Sequence, residues 1–244
     1  MIKVFIDFDG TITRHDVGDA LFESFGGKQS VEAVEMYREG TISAVECFQR
    51  ECVACGDVDS SELVSFLDIQ EIDSTFPEFV RFCRARGLEP CIVSDGMDYY
   101  IRHILARNGV DIPFFSNSLS LIPATRQGTV RLIPTFPYTD EVCDRCASCK
   151  RNHMLSRCSD EVIIVYVGEG YSDRCPARFA DIVFAKDDLL RFCLQENISF
   201  FEYRTFADIQ NRLTQLLDEQ DSNGRKIIKK RRQAELERRE VFLG

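Results

Sequence analysis

Long hydrophobic runs are missing from this sequence. Its apolar stretches are as short as Val162–Val167, far below the roughly 20 residues that cross a bilayer, so no membrane span is expected. Missing too are an internal repeat, a low-complexity linker and the charged n-region and apolar h-region of a signal peptide. Met1 leads straight into the β-rich run Ile2-Lys3-Val4-Phe5-Ile6. The expectation is a cytoplasmic protein. Basic residues are the minority, 30 Lys and Arg against 40 Asp and Glu, for a net charge of −10. The shortage is uneven, because residues 225–244 hold eight Lys/Arg against three Glu and leave −15 on residues 1–224. So acidic a body speaks against nucleic acid as a partner.

What is present points to a folded α/β protein. At 244 residues with 44% hydrophobic composition, the chain can bury one full core and carry a small accessory domain. Eleven cysteines would be a disulfide framework in a short secreted chain, but here they lie within apolar helical and strand patterns, as reduced core thiols do. Short β runs at Lys3–Asp7, Leu88–Val93, Val162–Val167, Ile182–Phe184 and Phe200–Tyr203 alternate with amphipathic helical stretches. That alternation predicts a doubly wound, Rossmann-like core with a mostly parallel sheet. Thr75 with Glu78 reads as a capping box opening one of the helices.

Two segments interrupt the alternation. Four helical stretches follow one another near Asp16–Phe25, Lys28–Arg38, Ser43–Ala54 and Asp59–Leu67, which predicts a small helical domain over 15–72. Ser43 with Glu46 and Asp59 with Glu62 mark two of its helix starts. Near 111–149, two β-like runs, Phe114–Ile122 and Thr129–Phe136, flank Gln127-Gly128 and predict a small β insertion with a hairpin turn. The expected division is therefore a core over 1–14 and 73–224 that includes the insertion, the helical domain, and a charged helical tail over 225–244.

The chemistry-bearing residues sit at strand ends. The first strand runs into Asp7-Phe8-Asp9-Gly10-Thr11, placing two carboxylates at the carboxyl edge of the sheet, where open α/β folds bind ligands. Two like charges so close need a cation. One can attack while the other manages a proton. Ile92-Val93-Ser94-Asp95-Gly96 closes a second strand with a hydroxyl and a flexible backbone suited to phosphate oxygens. Lys150 precedes a helical stretch, where its ammonium can neutralise phosphate. Val167-Gly168-Glu169-Gly170-Tyr171-Ser172-Asp173 ends a third strand with another acidic pair.

Taken in order, these segments resemble the four motifs of the haloacid dehalogenase superfamily of phosphatases, and the resemblance spans Lys3 to about Leu217. The helical domain is similar to the cap of the phosphoserine-phosphatase-like branch. Ser94-Asp95-Gly96-Met97-Asp98-Tyr99-Tyr100, the cysteines leading to Lys150, and Ala180-Asp181-Ile182-Val183-Phe184-Ala185-Lys186 resemble the branch acting on 2-hydroxy-3-keto-5-methylthiopentenyl phosphate in methionine salvage. The resemblance implies a magnesium-dependent phosphomonoesterase acting on a small phosphorylated metabolite. It makes Asp7 the nucleophile, Asp9 the acid/base and Lys150 a catalytic cation. Ser94, Asp95, Gly96, Thr11 and Lys150 become the phosphate-binding set, with the Asp95 side chain expected to point away from the ligand. Magnesium falls to Asp7, the Asp9 carbonyl and Glu169, with Asp173 behind them. Glu169 departs from the usual Asp. Phosphoserine and phosphoethanolamine or phosphocholine stay open as substrates, and so does a non-catalytic binding protein on this scaffold.

Other signals point outward from that set. His15, Asp16 and Asp19 open the helical domain just beyond the first motif and are expected to read the substrate. His103 reads as structural. Cys143, Cys146, Cys149 and His153 are chemically sufficient for zinc, though packing of a tight loop that aims Lys150 is the favoured reading. The tail from Arg225 to Arg232 has no aromatic interleaving, and Glu and Arg alternate after it. It reads as a solvated helix able to pack on a second copy through Val241, Phe242 and Leu243, which allows a homodimer.

Overall fold

The computed structural model describes residues 1–141, 143, 145–219 and 228–243. In chain order these form β1 (Ile2–Ile6), α1 (Val17–Gly26), α2 (Lys28–Arg38), α3 (Ala44–Cys55), β2 (Val58–Asp59) and α4 (Ser60–Asp68). Next come α5 (Phe76–Ala85), β3 (Glu89–Met97), α6 (Asp98–Arg107), β4 (Phe114–Pro123), β5 (Thr129–Thr135) and α7 (Lys150–Leu155). The chain continues through β6 (Ile163–Gly168), a 3-10 turn (Tyr171–Asp173), α8 (Arg174–Phe179), β7 (Ile182–Ala185) and α9 (Asp187–Gln195). It ends with β8 (Phe201–Glu202), α10 (Phe206–Asp218) and α11 (Arg232–Leu243). No described helix is long and apolar enough to cross a membrane. The chain forms two compact units.

The first unit comprises Met1–Asp7, Asp73–Ile92 and Lys150–Gly244. Its strands lie in the order β3-β1-β6-β7-β8, each paired parallel to its neighbour. Strands this apolar, such as Val4-Phe5-Ile6 and Ile164–Val167, are buried throughout, as parallel strands covered on both faces must be. Helix α5 presents Phe76, Phe79, Val80 and Cys83 inward, and Phe206 at the start of α10 packs on Phe76 and Phe79 at 4.7 and 5.2 Å between ring centroids. Each such ring contributes about 1.5–3 kcal/mol by leaving water. The expected capping box at Thr75 does not form. The Thr75 hydroxyl donates instead to Asp73 Oδ1 at 2.6 Å and accepts from the Ala207 N–H at 3.1 Å, so it ties α5 to α10.

Helix α11 also departs from expectation, because it docks on its own chain rather than lying in solvent. Ala234 is fully buried and Arg238 nearly so. The Arg238 guanidinium donates to the Phe179 carbonyl at 2.8 Å and to both oxygens of Asp181 at 3.1 and 3.2 Å. The physical reason is Asp181 itself, whose buried carboxylate requires a charged partner. Residues 225–227 and the side chains of Phe242 and Leu243, on which part of the tail reading rested, lie outside the described residues.

The second unit comprises Phe8–Ile72 and Val93–Cys149. Helices α1, α3 and α4 start where polar side chains cap them. Asp16 accepts from the Asp19 N–H at 2.8 Å, Ser43 from Glu46 at 3.1 Å, and Asp59 from Ser61 and Glu62 at 2.9 and 3.3 Å. Strands β4 and β5 form the expected antiparallel hairpin, from Ser118↔Thr135 to Pro123↔Val130, and Gly128 takes the positive φ of 81° that its turn demands. The two-residue β2 adds to this hairpin through Val58↔Val130, a pairing too short to leave a periodic trace in sequence. Strand β3 runs four residues further than expected, so Ser94 to Met97 belong to the strand and α6 begins at Asp98.

Candidate active site

The candidate residues form two groups, one in each unit. In the first unit, the Asp7 N–H donates to the Val167 carbonyl at 2.9 Å, continuing the β1–β6 register past Ile6↔Val167. That register sets the ends of β1 and β6 side by side. Lys150, the first residue of α7, is 1% exposed and sends its Nζ to Asp7 Oδ1 at 2.6 Å, Asp173 Oδ1 at 2.6 Å and Ser172 Oγ at 2.8 Å. Burial works against the ammonium, but the charges and hydrogen bonds of Asp173 and Asp7 more than offset it and hold its pKa above the ordinary lysine value. Lys150 is a fixed cation.

Asp173 is fully committed. Its Oδ1 accepts from Lys150 and from the Tyr166 hydroxyl at 2.5 Å, and its Oδ2 from the N–H groups of Glu169 and Gly170 at 2.8 and 2.9 Å. Those four donors fill the lone-pair directions of a carboxylate. Asp173 therefore orders the turn after β6 and has no lone pair left to offer a metal ion. Glu169 is held at both ends of its backbone, by Asp173 and by the Leu189 N–H on its carbonyl at 2.7 Å. Asp7 and Glu169 are hard oxygen donors, and magnesium takes one or two carboxylates while keeping several waters. This donor set fits that ion.

In the second unit, Asp9 is oriented by three donors. Its Oδ2 accepts from the Tyr100 hydroxyl at 2.8 Å and from Ser94 Oγ at 3.4 Å, and its Oδ1 from the Val17 N–H at 3.2 Å. Tyr100 is buried, and burial together with the Asp9 and Asp16 charges raises its pKa well above the ordinary value, so it stays a donor. A Cβ on Gly96 would overlap both the Tyr100 hydroxyl and Asp9 Oδ2; only glycine permits this approach. Ser94 Oγ in turn accepts from the Gly96 N–H at 2.9 Å. Thr11 is buried, and the neighbouring Thr13 hydroxyl closes the turn by donating to the carbonyls of Phe8 and His15 while accepting from the Gly10 N–H.

The remaining candidates have varied surroundings. Asp95 turns away from Asp9 and accepts from the Ser148 N–H at 2.7 Å. His15 is exposed, Asp16 caps α1, and Asp19 pairs with Arg38 at 3.3 Å. His103 contacts Asp68 at 2.7 Å. Among the described residues, no three His, Cys, Asp or Glu side chains are grouped as a metal site. His153 is buried beside Arg157, Nη1 to Nδ1 3.3 Å, and burial followed by the Arg157 charge lowers its pKa to about 4. Among the described residues no disulfide joins the cysteines, and burial pushes several thiols up, Cys83 to about 12 and Cys158 to about 11.

Sequence reading missed Tyr100, Thr13, Ser172, Tyr166 and Ser148. Only their positions beside the motifs hinted at them.

Comparison with known proteins places the chain. It is 29% identical over 234 residues to Pdp3-interacting factor 1 of Schizosaccharomyces pombe, covering 88% of this chain and 96% of that protein. It is 26% identical over 220 residues to the 2-hydroxy-3-keto-5-methylthiopentenyl-1-phosphate phosphatase of Bacillus thuringiensis, covering 89% and 98%. A phospho-aspartyl intermediate analogue of phosphoserine phosphatase superposes with a TM-score of 0.63 at 17% identity, over 86% of this chain and 98% of that one. At that identity the likeness is one of fold. Residues 2–218 match the model of the family described as Putative Phosphatase, so the chain belongs to that phosphatase family.

Proposed function

We propose that the protein hydrolyses a small phosphorylated metabolite through an aspartyl-phosphate intermediate, with magnesium as cofactor. The observation that carries this reading is the buried Lys150 ammonium bonded at once to Asp7 and Asp173, an arrangement suited to a nucleophile that must meet a phosphate dianion. In the first step an Asp7 oxygen attacks phosphorus, the ester P–O bond breaks, and Asp9 gives its proton to the departing alcohol. In the second, Asp9 takes a proton from water as the water oxygen attacks phosphorus, releasing phosphate and restoring Asp7. Ser94, Thr11 and the N–H groups at Asp95 and Gly96 hold phosphoryl oxygens, and Lys150 neutralises them. Asp7, the Asp9 carbonyl and Glu169 would hold magnesium, which supplies further charge neutralisation, and Asp173 would orient that set.

The substrate proposed first is the methionine-salvage enol phosphate, followed by phosphoserine, phosphoethanolamine and phosphocholine, with His15, Asp16 and Asp19 as its polar readers. A cytoplasmic setting and a homodimer complete the proposal. The test is phosphate release from p-nitrophenyl phosphate and from this panel, with magnesium present. Wild type should turn over, and Asp7→Asn should lose at least about 10³-fold in kcat while unfolding at the same temperature. Equal turnover in the variant would remove Asp7 as nucleophile. No turnover of any compound by the wild type would favour a binding protein on this scaffold.

A further inference from the structure

We propose that Asp95 is a positioning residue, whose carboxylate anchors the segment Ser148-Cys149 and through it sets the placement of Lys150. An acid in a phosphate-binding stretch is otherwise hard to account for, since it would repel the ligand. Successive side chains of a strand point to opposite faces, and on β3 this separates two tasks. Ser94 faces Asp9, with Oγ 3.4 Å from its Oδ2. Asp95 faces the other way, where its Oδ1 accepts from the Ser148 N–H at 2.7 Å and lies 3.5 Å from Asn117 Nδ2. Asn117, on β4, also donates to the Asp95 carbonyl at 2.6 Å. Ser148 and Asn117 are both fully buried and Asp95 is half-buried, so the anchor is partly shielded from water.

The segment it holds needs an anchor. Among the described residues of 136–149, between the end of β5 and Lys150, none lies in a helix or strand, and such an irregular connection is ordered only by specific ties. Two lie at its end, the Ser148 N–H on Asp95 and the Cys149 N–H on the Tyr138 carbonyl at 2.9 Å. The next residue is Lys150. A charge-assisted bond to a backbone N–H is the stronger kind, which accounts for a carboxylate here. The rival role for Asp95, attraction of a cationic substrate, would use its charge rather than its reach.

Full-length Asp95→Ala and Asp95→Asn variants separate these roles. Hydrogen exchange of the peptide covering 145–150 should quicken at least about 10-fold in Asp95→Ala, while peptides from β1 and β6 keep wild-type rates. With p-nitrophenyl phosphate, kcat should fall about 10- to 100-fold, as when supporting residues are lost, and inhibition by inorganic phosphate should weaken with it. Asp95→Asn keeps an acceptor oxygen and should restore both the protection and most of kcat. Unchanged exchange at 145–150 in Asp95→Ala would overturn the proposal. So would an Asn variant with protection restored and turnover as low as in Ala, because charge would then be what matters. Should Asp95→Ala fail to fold, Asp95→Ser, too short to reach the Ser148 N–H, takes its place with the same expectations. The turnover arm rests on the proposed phosphatase reaction, whereas the exchange arm does not. An inactive wild type would defeat that reaction and leave exchange to decide the anchor.

Discussion

Glu51 shows what burial does to a single carboxylate. It lies on α3 with 2% of its surface exposed, and burial, then the charges of Asp19 and Asp16, raise its pKa from 4.5 to about 8 against the opposing hydrogen bond of Cys47. The folded chain therefore keeps a proton that the unfolded chain gives up near pH 4.5. Stability from this group is full below that pH and declines as pH rises toward 8. The neutral Glu51→Gln variant avoids the decline. At pH 8.5 it should melt above the wild type by on the order of 5 °C, which a shift of this size permits at 2–4 °C per kcal/mol. At pH 4.5 the difference should vanish. An equal offset at both pH values would show that packing, and not ionisation, sets the effect.

At the scale of elements, α11 offers a contrast between two arginines one position apart. Arg238 pairs with Asp181, whose side chain is fully buried and also accepts from the N–H groups of Ile164 and Arg231 at 2.9 Å each. Arg239 pairs with Glu235 on the exposed face at 2.8 Å. Removing one partner of a buried pair costs about 3–5 kcal/mol, because the other charge is stranded. An exposed pair is worth about 0–1 kcal/mol. Thermal unfolding should accordingly place Arg238→Ala roughly 10 °C below wild type and Arg239→Ala within about 2 °C of it. Equal melting of the two variants would mean that α11 is not held by Asp181. The helix was foreseen from its Glu and Arg alternation, but its docking was not, since the same spacing suits a solvated helix.

Over the whole molecule the chain passes between the two units at four points, after Asp7, Ile72, Ile92 and Cys149. Binding of an ion to the folded state alone should be read out by global stability. Magnesium at 100 times its dissociation constant adds about 2.7 kcal/mol, or on the order of 5–10 °C in melting temperature. Glu169→Gln should lose most of that gain and Glu169→Asp should keep it, and a chelator should reverse the gain without unfolding the protein. A Gln variant that responds to magnesium like wild type would move the ligand role away from Glu169.

The α/β class, the parallel strands, the run of four helices and the β4–β5 hairpin were readable without coordinates, because side-chain periods of 2 and 3.6 are local properties of a strand or helix. The candidate residues Asp7, Asp9, Lys150 and Glu169 could be proposed too, since each stands just past a strand or at a helix start that local pattern announces, whereas Ser94 was placed at a strand end and lies within β3. Their partners could not be proposed. Lys150 meets Asp7 across 143 positions, Asp95 meets Ser148 across 53, Tyr100 meets Asp9 across 91 and Arg238 meets Asp181 across 57. No period links such positions. Which carboxylate is saturated, as Asp173 is, which turns from the strand face toward a loop, as Asp95 does, and which keeps its proton, as Glu51 does, depends on the donors and the burial that packing supplies. Those are properties of the folded chain.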